Sequence, residues 1–514
     1  MKKAFCIILT LIMTCACVLP AASAADTPDA GERAPVIRIL GLGGSFYDGD
    51  TLVFPPQAGT VIPAIMKAIS ATPALLTGVL DVSDQERVLE VAGAFFDPIA
   101  FDKNGEPANG TVKDTGNIED IDFESGDFIA FDYDWRLDPF TVAEQLKDFI
   151  EYVKRQTGSD GVYLVAESMG TVEMDTYFSR YGFDGILGAV WYNGAYRGVA
   201  SCSDSFSNQN NFSVKAISDY LNQLGVFADS QLLYDLFAAL ESSGLLQTVF
   251  DSVYSGTLAL EESGMFSRFL REYIGRIPGF WSLVSSEDYP AAREFAFPTD
   301  EIKEEYSVLL EKLDRYYNEV SSKTDEIMAN ALEKTGKVGV VCGYGEYMPP
   351  VTSDSTRQSD SVILTADESS GATCAPIGET FAETYVQKIN DGHDHISPDR
   401  VIDASTAFFP DNTWFVKFGH HSFSGGKELT EQIFFTEGFN VFSSESYPQF
   451  LVRDPDTGEL SPLTSQNGEG KAFSSSFTEK LLKAVFWAAN VFLKIYKSLA
   501  VSLKGVVRIE KTEC

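Results

Sequence analysis

VYLVAESMGTVEMDTYF, Val162 to Phe178, is the stretch on which the fold turns. Val162 to Val165 read as a buried apolar strand, Ala166 to Gly170 as a tight turn of small residues around a serine, and the remainder as a helix. A serine on a sharp strand-to-helix turn projects its hydroxyl clear of the sheet, and the N-terminus of the following helix supports a developing oxyanion. The pattern is that of a nucleophile elbow, Gly-x-Ser-x-Gly, with Ala166 at the first glycine. A plainer reading makes Ser168 an N-cap after a strand. The rest of the chain decides between them.

Upstream, PVIRILGLGGSFYDG runs from a short apolar strand, Val36 to Leu40, into a glycine-rich loop, Gly41 to Ser45. Such a loop either cradles phosphate or lets backbone amides approach an oxyanion. Neither Gly-Lys-Ser/Thr nor G-x-G-x-x-G is present, so the oxyanion use fits better, with amides from Leu42 or Gly43 and from Met169. DFIAFDYDWRLDP predicts a strand over Phe128 to Tyr133, ending in an Asp134-Trp135-Arg136 cluster that reads as an internal ion pair under an aromatic lid. The segment Phe140 to Gln156 has apolar residues at Val142, Leu146, Ile150 and Val153, the stripe of a helix packed on a sheet. After the elbow, LGAVWYNGAYRGV predicts another strand that ends in a loop at Asn193 to Arg197. Strands alternating with helices mean a parallel α/β sheet.

From about Ser201 the alternation stops. Phe212 to about Ile274 and Ile302 to Lys334 read as helices, separated by GRIPGFWSLVSSEDYP, a turn with an aromatic knot at Phe280 and Trp281. Strands return with KVGVVCGY, Lys337 to Tyr344. An insertion of this kind just after the elbow is most economically a cap over the active-site end of the sheet.

All four histidines, His393, His395, His420 and His421, follow this insertion. The first two lie in the carboxylate-rich NDGHDHISPDRVIDAS, and the second two close TWFVKFGHHSFSGG, where Trp414 to Phe418 reads as a strand. Serine, then aspartate, then a histidine after the last core strand is the chain order of an α/β-hydrolase triad. The imidazole takes the serine proton, and a buried carboxylate fixes its tautomer. His421 is preferred over His420 because Gly419 lets the chain leave the strand, and neighbouring side chains in an extended segment face opposite ways. A competing reading makes Asp391, His393, Asp394, His395 and Asp399 a metal site. No HExxH spacing or EF-hand loop supports it, and the expectation is no metal and no cofactor.

Together, PVIRILGLGGS, YDWR, VYLVAESMGT, PGFWSLV, VGVVCGYG and the DHISP loop resemble the lecithin:cholesterol acyltransferase family of α/β-hydrolases, from about Pro35 to Ser422. The resemblance implies Ser168 as nucleophile. It implies Asp394 as the acid, because Asp394-His-Ile-Ser-Pro398 keeps the family's Asp-to-Pro spacing, with Asp391 as the alternative. It implies His421 or His420 as the base. The chain departs from the family at Ala166 and Glu167, at Leu40 where a proline is usual, and at the missing Gly-Thr-Val.

The N-terminus, MKKAFCIILTLIMTCACVLPAASA, has two lysines, an apolar run and an A-x-A site, and reads as a secretory signal over residues 1–24. A lipoprotein alternative through Cys15 or Cys17 lacks the expected small residues before the cysteine. Without Lys2 and Lys3, 37 basic residues face 74 acidic ones, a net charge of −37 that repels nucleic acid. Cys202, Cys342, Cys374 and Cys514 permit disulfides in an exported chain without choosing a pairing. Phe477 to Arg508 is a lysine-rich, aromatic, helix-like run too short in its apolar segments to span a bilayer. It reads either as a membrane-surface helix or as a terminal helix docked on the core.

The expected organisation is therefore a signal over 1–24, an α/β-hydrolase core over 25–200 and 336–425, a helical cap over 201–335, and a C-terminal extension over 426–514. The expected activity is that of an exported serine acyl-ester hydrolase or acyltransferase acting on a lipid ester. The alternative from another class is an inactive hydrolase-fold surface protein that binds lipid or a partner.

Overall fold

The computed structural model describes residues 33–55, 93, 96–123, 125–210, 216, 220, 264–348, 350, 352–418, 423, 425–454 and 457–464. The signal segment, His420, His421 and the Phe477 to Arg508 run lie outside them, as does most of the span expected to be helical between Phe212 and Ile274.

The strands are β1 (Val36–Ile39), β2 (Phe46–Asp48), β3 (Thr51–Phe54), β4 (Val112–Lys113), β5 (Ile129–Phe131), β6 (Val162–Glu167), β7 (Ile186–Tyr192), β8 (Val338–Tyr344), β9 (Thr373–Cys374), β10 (Ile402–Asp403), β11 (Thr413–Lys417), β12 (Phe450–Arg453) and β13 (Leu460–Pro462). Eight of them form one sheet in the order β13-β12-β11-β8-β7-β6-β1-β5. Every neighbouring pair is parallel except β12 with β13. The fold is thus a mixed α/β one around a mostly parallel sheet, as the alternation of strands and helices requires.

Apolar runs such as VYLVA of β6 are buried because helices cover both faces of the sheet. On one face lie the helix Pro139–Thr157, the elbow helix Gly170–Tyr181 and the helix Thr324–Thr335, which feed Val142, Leu146, Ile150, Val172, Ile327 and Met328 into the larger core. The first of these starts where Asp138 accepts from the Phe140 amide, with Pro139 in the opening turn. It stops at Gly158, which is left-handed. On the other face the helix Gly426–Phe435 sets Leu429, Ile433 and Phe434 against Tyr163, Val165, Val341 and Trp414.

Two expected boundaries move. The span read as a cap ends in Thr324–Thr335, whose buried Ile327, Met328 and Ala331 pack on the elbow helix and β7, so this helix is a layer of the core. The core also does not stop at 425. The helix Gly426–Phe435 covers the second face, and β12 and β13 extend the sheet edge. The segment Pro278–Trp281 does sit at the elbow end: Gly279 donates to the Arg136 carbonyl, and Trp135 packs on Phe280 with ring centroids 5.1 Å apart.

The chain leaves β1 toward β5 on one side and leaves β6 toward β7 on the other. The carboxyl ends of these adjacent parallel strands therefore form the topological switch point, where open α/β sheets leave a crevice for ligands.

Candidate active site

Ser168 follows β6 directly at that switch point and holds φ at +50°, a left-handed conformation that costs a non-glycine residue energy unless its surroundings impose it. The surroundings do so. Its amide donates to the Tyr192 carbonyl at 3.1 Å, and its own carbonyl accepts from the amides of Thr171 and Ala195 at 3.1 Å and from the Thr171 hydroxyl at 2.6 Å. The side chain is left half-buried at the start of the helix Gly170–Tyr181.

Close approach of β1 explains two glycines. A Cβ on Gly41 would meet Ser168 Cβ at 2.9 Å and its Oγ at 3.4 Å, so the glycine loop lies against the hydroxyl. A Cβ on Gly170 would meet the carbonyl oxygens of Ile39 and Leu40 at 2.5 and 2.7 Å. Leu42 and Met169 are buried beside them, Gly43 is half-buried, and the Met169 side chain reaches the Pro278–Trp281 segment. The residues expected to supply an oxyanion pocket are thereby brought together at Ser168.

Glu167, a departure from the usual elbow, has a structural partner. It forms a two-pronged ion pair with Arg38 of β1, whose guanidinium also lies 4.6 Å from the Phe423 ring. The Asp134-Trp135-Arg136 cluster is structural as expected. Arg136 pairs with Asp134, donates to the Thr111 carbonyl and lies 4.3 Å from the Phe46 ring, while Trp135 is wholly buried.

The expected acid is placed differently. His420 and His421 fall outside the described residues, but the residues on either side of them are seen. Phe418 follows β11 with φ at +59° and donates to the Tyr344 carbonyl, and Phe423 packs on Tyr192 at the end of β7. Both flanks lie toward the edge that carries Ser168.

Asp394 and Asp391 do not. His395, next to Asp394, contacts Gln449, which immediately precedes β12, and Asp391 bonds to His395 at 2.8 Å. These residues occupy the amino edge of the sheet, opposite the elbow. A strand the length of β11 spans about 13 Å, and three strand spacings of about 4.8 Å separate it from β6. Asp394 itself is exposed, and its carboxylate accepts from the Ile396 amide. The Asp-to-Pro spacing selected it, but the Ile396–Asp403 bridge and the β9–β10 pair carry this part of the loop to the wrong edge.

Two other sets of carboxylates are nearer the edge that carries Ser168. Asp399 accepts from the Tyr344 hydroxyl at 3.1 Å, Ser397 at 2.7 Å and Lys417 at 2.8 Å, the last residues of β8 and β11 being among its partners. Asp360 and Glu368 are fully buried at the ends of β7 and β8, bridged by the Asn193 amide at 3.2 and 3.3 Å, with Glu368 accepting from the Gly343 amide. Burial and the neighbouring Asp360 push the Glu368 carboxyl well above the usual range.

Cys202, Cys342 and Cys374 are free thiols, and Cys514 lies outside the described residues. Among the described residues no helix is long and apolar enough to cross a membrane.

No family model matches the chain, and no curated protein matches it. Among solved structures, a chain from the crystal structure of the Tle4–Tli4 complex aligns at 16% identity over 34% of this chain and 48% of its own length, with a TM-score of 0.18. A likeness of that size carries no argument about fold or activity.

Proposed function

We propose that the protein is a serine acyl-ester hydrolase or acyltransferase of the α/β-hydrolase type that acts on a lipid ester through Ser168. The observation that carries this reading is the strained Ser168, held at the switch point with Gly41 against its hydroxyl. Strain of this kind on a serine between a strand and a helix is what a nucleophile elbow needs.

In the proposed reaction Ser168 Oγ attacks the ester carbonyl while a histidine of the His420-His421 pair takes its proton. Amides of Leu42 or Gly43 and of Met169 hold the oxyanion. Collapse of the tetrahedral intermediate gives acyl-Ser168, and the imidazolium returns the proton to the departing alcohol. Water or a second alcohol then takes the acyl group by the reverse sequence. Asp399 replaces Asp394 as the carboxylate that positions the base, because its partners lie at the elbow-side ends of β8 and β11. The apolar surroundings, Leu42, Met169 and Phe280, favour an acyl chain over a polar substrate.

Turnover of a panel of short-chain and long-chain esters tests the reading. Hydrolysis lost in Ser168→Ala with the fold retained supports it. Hydrolysis unchanged in Ser168→Ala removes it, and no hydrolysis by the wild-type chain favours the inactive lipid-binding or partner-binding alternative.

A further inference from the structure

The amino edge of the sheet carries a second convergence of chemistry, far from Ser168. Asp391, His393, His395 and Asp411 each offer one ligand atom, and these four atoms lie within 4.8 Å of one another. Asp411 precedes β11, whereas the other three come from the loop that precedes β10. Of the five residues that the sequence offers as metal ligands, Asp391, His393 and His395 join the cluster and Asp394 and Asp399 do not, while Asp411 comes from another segment.

The state of His395 makes the cluster more than a group of neighbours. The ring is fully buried. Its Nδ1 lies 2.8 Å from Gln449 Oε1, and the orientation of that amide is fixed because its nitrogen donates to the carbonyls of Pro410 at 2.6 Å and Thr413 at 3.3 Å. Gln449 therefore accepts, and Nδ1 carries the proton. In a neutral ring the Nε2 lone pair then faces two carboxylate oxygens, Asp391 Oδ2 at 2.8 Å and Asp411 Oδ1 at 3.9 Å. The Asp411 oxygen is buried and has no hydrogen-bond partner among the described residues. A lone pair set against two carboxylates requires a cation between them.

A proton on Nε2 would satisfy one contact. It would leave the convergence of His393 and of the second carboxylate without a cause. We propose that Asp391, His393, His395 and Asp411 bind one divalent transition-metal ion of the zinc class. Two imidazole nitrogens with two carboxylates exclude the oxygen-only preference of calcium and magnesium and suit zinc or cobalt. Bonds of about 2.0–2.2 Å in a tetrahedral site set neighbouring ligand atoms about 3.3–3.6 Å apart, a spacing that the 2.8 and 3.9 Å separations bracket. Gln449 holds the ring and its tautomer from the outer shell, as metal-bound histidines require. The Phe442 ring packs beside both histidines, 4.2 Å from His393 and 5.7 Å from His395. Four protein ligands leave no open position, so the ion fastens the long loop after β8 to the starts of β11 and β12 and takes no part in chemistry at Ser168.

The test uses the untagged chain, stripped with a chelator and titrated with Zn²⁺ by calorimetry, with Co²⁺ as the spectroscopic probe. The expected result is uptake of about one ion per chain, cobalt bands of tetrahedral intensity, and a higher melting temperature with zinc. His393→Ala and Asp411→Asn alter the exposed side of the site, so the fold, checked by circular dichroism, is retained. Each should weaken binding about tenfold or more and lower the zinc-dependent rise in melting temperature accordingly. Because the surface is strongly acidic, zinc uptake that is the same in the wild type and both variants means adventitious surface binding and overturns the site. A wild-type chain that takes up no zinc, with His395 protonated by NMR titration, overturns it in favour of a buried imidazolium.

Discussion

Gly41 and Ser168 are in contact across the switch point: a methyl group on Gly41 would stand 2.9 Å from Ser168 Cβ and 3.4 Å from its Oγ. The loop after β1 and the turn after β6 therefore constrain each other, and in the proposed reaction their joint position would set where a carbonyl meets the hydroxyl.

Gly41→Ala should reduce ester turnover by about 100-fold, since displacing a reacting group by about 1 Å has that effect. The melting temperature should change less than the turnover, because the one contact under 3 Å is with Ser168 Cβ and the nearest backbone atom, the Glu167 carbonyl oxygen, would stand at 3.3 Å. Gly170→Ala should act on stability instead. Its Cβ would press on the backbone carbonyls of Ile39 and Leu40, which cannot yield as a side chain does, at a cost of about 1–3 kcal/mol. Denaturant unfolding of both variants beside their kinetics checks this division, and the reverse pattern would contradict the assigned roles.

The carboxylate that orients the base is tested by comparing Asp399→Asn with Asp394→Asn. The first should cost several orders of magnitude in turnover, as the amide favours the wrong imidazole tautomer. The second should leave activity near wild type, because Asp394 is exposed and bonds only within its own loop among the described residues. His420→Ala and His421→Ala, measured alongside, identify the base. Full activity in both would remove the triad.

Asp175, buried in the elbow helix, has its carboxyl raised from 3.8 to about 8 by burial, offset in part by the Trp191 indole that donates to it at 2.8 Å. The folded chain therefore keeps a proton that the unfolded chain releases near pH 3.8. This contribution to stability is intact below that pH and is lost as pH rises toward 8, at up to about 1.4 kcal/mol per pH unit for one proton. Asp175→Asn keeps an acceptor for Trp191 and has nothing to ionise. Melting temperatures between pH 5 and 9 should fall less steeply in the variant, and parallel curves would refute the assignment of the proton to Asp175.

Truncation before Phe477 should lower binding to anionic liposomes more than turnover of a soluble ester, if the lysine-rich run is a surface anchor. Aggregation, or equal loss on both, would instead mark a helix docked on the core.

What the sequence disclosed follows from how local each feature is. The strand-turn-helix around Ser168, the glycine loop and the stripe Val142, Leu146, Ile150, Val153 are set by neighbouring residues, and all appear where the pattern puts them. The helix Thr324–Thr335 was legible as amphipathic, but an apolar stripe is the same whether it covers a crevice or a sheet, and only the fold decides that Ile327 and Met328 meet the sheet. The error at Asp394 has the same origin. Spacing to Pro398 records distance along the chain, whereas the edge a loop reaches depends on pairings such as Ile402 with Cys374. Gln449 and Asp411 gave no signal at all, since their meaning arises only when the starts of β11 and β12 lie side by side.

The central claim is that Ser168 is an activated nucleophile, and a fluorophosphonate probe reads this directly. The account predicts a covalent adduct that mass spectrometry maps to Ser168, absent from Ser168→Ala and from denatured protein. An unmodified Ser168 in the folded wild-type chain, or an adduct on another serine that survives Ser168→Ala, would contradict it.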